Sequence, residues 1–141
     1  MRRRARQVEI HSVPIEVSET KTKSGHPVVR TLFISEVTVA EAQRYHARVM
    51  PGGEFDGFGH LVLGNVTGVS SEVKKVLSSG KADEKNPPPV AVVLTSALAR
   101  MAASLTMRLT GNPNTDSFKN EEEGLLWLDE RMTEFLRKLR G

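Results

Sequence analysis

Val90-Ala91-Val92-Val93-Leu94-Thr95 decides the fold class. An unbroken apolar run rich in β-branched residues, preceded by Pro87-Pro88-Pro89, has the pattern of a strand buried on both faces. Ser96 follows as a helix cap, and Ala97 to Leu109 reads as a helix that Thr110-Gly111-Asn112-Pro113 stops. The same grammar occurs earlier in the chain. His60-Leu61-Val62-Leu63-Gly64-Asn65-Val66 is a continuous apolar strand. Ser70 or Ser71 then caps a helix with Val69, Val73, Val76 and Leu77 at helical spacing. Two buried strands, each followed by a helix, call for a mostly parallel sheet with right-handed crossovers.

The flanking segments extend this unit. Toward the N-terminus, Val8, Ile10, Ile15 and Val17 alternate in two runs whose phase slips near Pro14, as in a bent edge strand. The polar stretch Ser18 to Pro27 reads as a long, mobile hairpin tip, and Val28 to Ile34 as the returning strand. Thr38 with Glu41 forms a capping box for a helix from Val39, which ends at Met50-Pro51-Gly52-Gly53. Toward the C-terminus, Asp116 to Lys119 reads as a short strand. Asn120 caps a last helix with Glu121, Glu122 and Glu123 in its first turn and Leu125, Leu128, Met132, Phe135, Leu136 and Leu139 in its buried stripe. The expected class is α/β: a mixed, mostly parallel sheet of four to five strands with an N-terminal antiparallel hairpin, covered by about four helices. Residues 1–6 read as a flexible basic tail and 7–141 as a single domain.

The bulk composition narrows the function classes. The chain has 141 residues, with 38% hydrophobic and 26% charged, which suits one globular core. It contains no cysteine, so disulfides, thiolate catalysis and Cys-based zinc sites are excluded. No apolar run approaches the roughly 18 residues of a membrane span. The start Met1-Arg2-Arg3-Arg4-Ala5-Arg6 lacks the apolar stretch of a signal peptide after it. These points suggest a cytoplasmic protein. The net charge of +3 sits largely in that tail and in Arg137, Lys138 and Arg140, which argues against a nucleic-acid partner.

Three segments resemble the STAS superfamily, in its SpoIIAA-like, anti-sigma-factor-antagonist branch. Val29 to Ala42 is similar to the strand, turn and helix that open the family's core, with Ser35-Glu36 in place of its glycine turn. Leu61 to Leu77 is similar to the next strand and helix. Val90 to Trp127 is similar to the last long strand, helix, short strand and final helix, whose motif here reads Glu122-Glu123-Gly124-Leu125-Leu126-Trp127-Leu128. The resemblance spans residues 28–130. It implies a non-catalytic regulatory or scaffold module that binds a protein partner in bacterial signalling. The family's phosphorylated serine lies in an Asp-Ser-Ser-Gly-like stretch. Gly68-Val69-Ser70-Ser71-Glu72 keeps the serine pair without the acid and the glycine. Ser70 and Ser71 are therefore read as helix caps or a phospho-switch. SEC14-like relatives imply the alternative, a carrier or sensor of a lipid or other apolar small molecule.

Catalytic and metal chemistry find little support. His11, His26, His46 and His60 have no metal-ligand spacing, and no metal or cofactor is expected. Gly52, Gly53, Gly57 and Gly59 surround Asp56 and Phe58 without matching a nucleotide fingerprint, so a plain loop is preferred over an anion cradle. No convergent nucleophile, base and acid set stands out, so the chain is not read as an enzyme. The helix Ala97 to Leu109 carries Arg100 and Arg108 as its charged side chains. Its small residues Ala99, Ala103 and Ser104, with Met107 beside them, suit close packing against a partner. Ala99, Arg100, Ala103, Ser104, Met107 and Arg108 are thus the candidate interface, a homodimer being one form it could take.

Overall fold

A computed structural model describes residues 15–33, 37–50, 52–64, 70–78, 87–96, 100 and 114–140. The strands are β1 (Ile15–Lys21), β2 (Pro27–Phe33), β3 (Gly59–Gly64), β4 (Val90–Val93) and β5 (Thr115–Phe118). The helices among the described residues are α1 (Val39–Val49), α2 (Ser71–Ser78) and α3 (Glu121–Arg140). The five strands form one sheet in the order β1-β2-β3-β4-β5. β1 runs antiparallel to β2, and every other pair is parallel. The α/β class, the antiparallel hairpin and the interior, parallel placement of β3 and β4 all match the sequence reading.

Local chemistry sets the helix starts. Thr38 Oγ1 accepts the Glu41 amide at 3.2 Å, while Glu41 Oε1 accepts the Thr38 amide at 2.9 Å, completing the capping box. Asn120 Oδ1 accepts the Glu123 amide at 2.9 Å at the start of α3. Beyond β4, Arg100 is helical and its amide donates to the Ser96 carbonyl at 3.0 Å.

The core lies mainly between the sheet and α3. Val28, Leu61, Leu63, Ala91, Val93 and Leu128 form one buried cluster, with Leu32, Phe118, Leu125 and Trp127 packed at its margins. Gly124 explains how closely the helix approaches. A Cβ built there would sit 3.1 Å from Leu61 Cδ1 and 3.5 Å from Ala91 Cβ. At Gly59 it would meet Met132 Sδ at 3.1 Å. α1 lies against the other face, where the Tyr45 and Thr31 hydroxyls are 2.9 Å apart and Phe33 meets Tyr45 edge-on. α2 packs on α1 and buries Val73. Burial pushes the Tyr45 phenol up, partly offset by the Thr31 hydrogen bond.

Two expectations need correction. Leu139, read into the buried stripe of the last helix, is exposed near the end of α3, where the helix extends beyond the sheet's apolar cluster. The hairpin tip is short: β1 continues to Lys21, which pairs with Pro27. The residues between them form a tight turn, with the Thr22 amide bonded to the His26 carbonyl at 3.0 Å and Gly25 at φ 90°. Ser18, Glu19 and Lys21 are exposed because they lie on an edge strand. Their backbone is paired while their side chains meet water, so they look like loop residues in sequence. The reading of Val8 to Val13 as strand and of residues 1–6 as a tail lies outside the described residues. Trp127 is only half-buried and stacks obliquely on Phe118, with ring centres 5.4 Å apart.

Candidate functional site

In a parallel sheet, the helices that follow the strands begin near the carboxyl ends of those strands, where their free amides favour polar side chains. The serine pair lies at such a start. Ser70 Oγ accepts the Val73 amide at 3.2 Å, so Ser70 caps α2. Ser71 is the first helical residue, and both serines are exposed. Arg100 follows β4. It is half-buried, and its Nη1 donates to the Leu94 carbonyl at 2.6 Å, tying the guanidinium to the end of the strand. Ala99, Ala103, Ser104, Met107 and Arg108 lie outside the described residues.

The glycine-rich loop is closed on itself. The Gly52 amide donates to Asp56 Oδ2 at 3.0 Å, and the Gly53, Phe55, Asp56 and Phe58 amides donate to the Met50, Arg48, Gly53 and Phe55 carbonyls. Arg48 Nε bonds Glu54 Oε1 at 2.7 Å, and the guanidinium lies 5.0 Å over the Phe55 ring. These five amides are engaged within the loop itself.

Sequence reasoning missed a polar seam that joins the β1–β2 turn and β2 to α3. Arg30 pairs with Glu121 through two hydrogen bonds of 2.9 and 3.1 Å. Ser24 donates its amide to Asp129 Oδ1 and its hydroxyl to Asp129 Oδ2, each at 2.9 Å. His26 Nε2 lies 3.0 Å from Thr133 Oγ1. The Thr22 hydroxyl, the Ser24 amide and hydroxyl, and His26 together hold the Asp129 carboxyl below its ordinary value. Arg30 does the same for Glu121. Ser24, His26 and Asp129 share the composition of a catalytic triad without its connectivity. The serine hydroxyl donates directly to the carboxylate and the imidazole goes to Thr133, so the histidine does not stand between the two as it does in a triad. The contacts dock the turn onto the helix.

Among the described residues, no group of three or more His, Asp or Glu side chains could hold a metal ion, and no helix is long and apolar enough to cross a membrane. His60 is buried within β3, and His46 lies on α1. His11 lies outside the described residues. Comparison of the chain with protein-family models, curated proteins and solved structures gives no match in any of the three.

Proposed function

We propose that this chain is a non-catalytic regulatory or scaffold module that binds a protein partner at its surface, in the manner its resemblance to STAS domains implies. The observation that carries this reading is the close fit between the sheet and α3. At Gly124 and Gly59 an added methyl group would already press on Leu61 and Met132. That layer is filled by the protein's own side chains, which supports recognition on the outside over carriage of an apolar molecule beneath α3. The contact surface proposed is the segment 97–109, read from its sequence, with Ser70 and Ser71 exposed for regulation at the start of α2. The implied setting is bacterial signalling in the cytoplasm.

The test is affinity capture from the source cell with the wild-type chain and with Ala103→Glu, using circular dichroism to confirm that both are folded. A partner captured by the wild type and lost with the folded variant is the expected result. Identical partners and oligomeric state for the two proteins would remove this helix as the interface. Native mass spectra with a lipid bound in one-to-one ratio would replace the reading with the carrier alternative.

A further inference from the structure

We propose that Asp116 guards the free edge of β5, preventing that edge from adding a strand of a second copy of this chain. The backbone alternation identifies the outward groups. The Val90 and Leu94 amides donate to the Asn114 and Phe118 carbonyls. Amide and carbonyl of one strand residue point to the same side, and sides alternate along the strand. Asn114, Asp116 and Phe118 therefore face β4, while Thr115 and Ser117 face away from it. Among the described residues β5 has β4 as its one neighbour in the sheet, and Ser117 offers its amide on the side away from β4.

That amide is occupied. Asp116 Oδ1, on an exposed side chain, accepts it at 2.8 Å. A strand arriving at β5 would have to displace a charge-assisted hydrogen bond and then lie against the carboxylate. The segment is otherwise suited to pair with itself. An antiparallel pairing centred on Ser117 sets Thr115 opposite Lys119 and Asp116 opposite Phe118, with no like charges directly opposed. A second copy is thus the occupant that the guard excludes.

Removing the acceptor with Asp116→Val should make the chain self-associate, and light scattering on a sizing column should give twice the wild-type mass as concentration rises. Adding Ser117→Pro deletes the outward amide, a change an edge strand tolerates, and should return the mass to the wild-type value. An unchanged mass for the folded Asp116→Val protein would overturn the proposal. So would equal association with and without Ser117→Pro, since the cause would then be the new apolar surface. Hydrogen exchange of the Ser117 amide in the wild type gives a check independent of any variant. Slowed exchange is expected, and exchange at the rate of a free peptide would show that the guarding bond is absent in solution.

Discussion

The sheet face under α3 is lined by Val28, Leu61, Leu63, Ala91 and Val93, all aliphatic, and is met by Leu128 and Met132. The face under α1 mixes Val29 and Phe33 with the buried polar residues Thr31 and His60. The first face is held by shape. Its specificity lies in volumes, above all at Gly124 and Gly59, where an added carbon would sit 3.1 Å from Leu61 or Met132 and those side chains would have to give way slightly. The second is held by shape and by one hydroxyl pair, Thr31 with Tyr45, in which each group satisfies the other away from water. A volume error should therefore cost most on the α3 face, and an unpaired polar atom should cost most on the α1 face.

The largest effect should come from Leu128→Ala. Leu128 is fully buried at the centre of the apolar cluster. The cavity and lost transfer energy should cost about 2–5 kcal/mol in urea unfolding. A loss below about 1 kcal/mol would mean that α3 is loosely docked. Overfilling the same face with Gly124→Val should cost about 1–3 kcal/mol, since the Cβ alone would already stand 3.1 Å from Leu61 Cδ1 and within contact of Ala91 and Val93 before the branches are added. A stabilised variant would show that the gain in helix propensity outweighs the crowding.

Tyr45→Phe examines the other face. It leaves the Thr31 hydroxyl without its partner and should cost about 1–3 kcal/mol. Combining it with Thr31→Val removes both polar atoms and should recover part of that loss. A strictly additive double variant would show that the pair is not coupled.

The smallest effect belongs to the exposed seam. Asp129 and Glu121 are both held below the ordinary carboxyl value, so their contributions are fully present above the unfolded-state pKa. They are lost as pH falls through the lowered folded-state values, and the seam stays closed at neutral pH. The Ser24 amide chemical shift should titrate with a midpoint below that of a free aspartate. A midpoint at or above the free value would mean that Ser24 and Asp129 are not bonded in solution.

The parts legible in advance were those whose cause is local. Thr38 with Glu41, Ser70 and Asn120 cap their helices through atoms a few residues away, and the pattern is visible in the letters. Val90 to Val93 announced a buried strand because both of its faces must be apolar. The seam escaped notice because Ser24 and Asp129 are 105 residues apart, and each alone looks like any solvated polar residue. Asp129 and Thr133, one turn apart on α3, gave the faint signal available, a polar pair at the margin of a hydrophobic stripe. The end of β1 was misjudged for a related reason, since Ser18 to Lys21 have loop chemistry and only their pairing with β2 makes them strand.

By itself the sequence determined the element types, their order and most helix starts, because hydrophobic periodicity and capping are short-range consequences of backbone geometry. It also determined that the chain has no thiol chemistry and has one segment poor in charge. Only the tertiary structure decided which polar residues meet. It tied Asp129 to the hairpin turn, Arg30 to Glu121, and Arg100 to the Leu94 carbonyl. It also set Gly124 against Leu61 and turned the Ser117 amide away from β4 and onto the Asp116 carboxylate. Such contacts depend on how strands and helices are stacked in space, and stacking brings together residues whose separation along the chain carries no trace of their meeting.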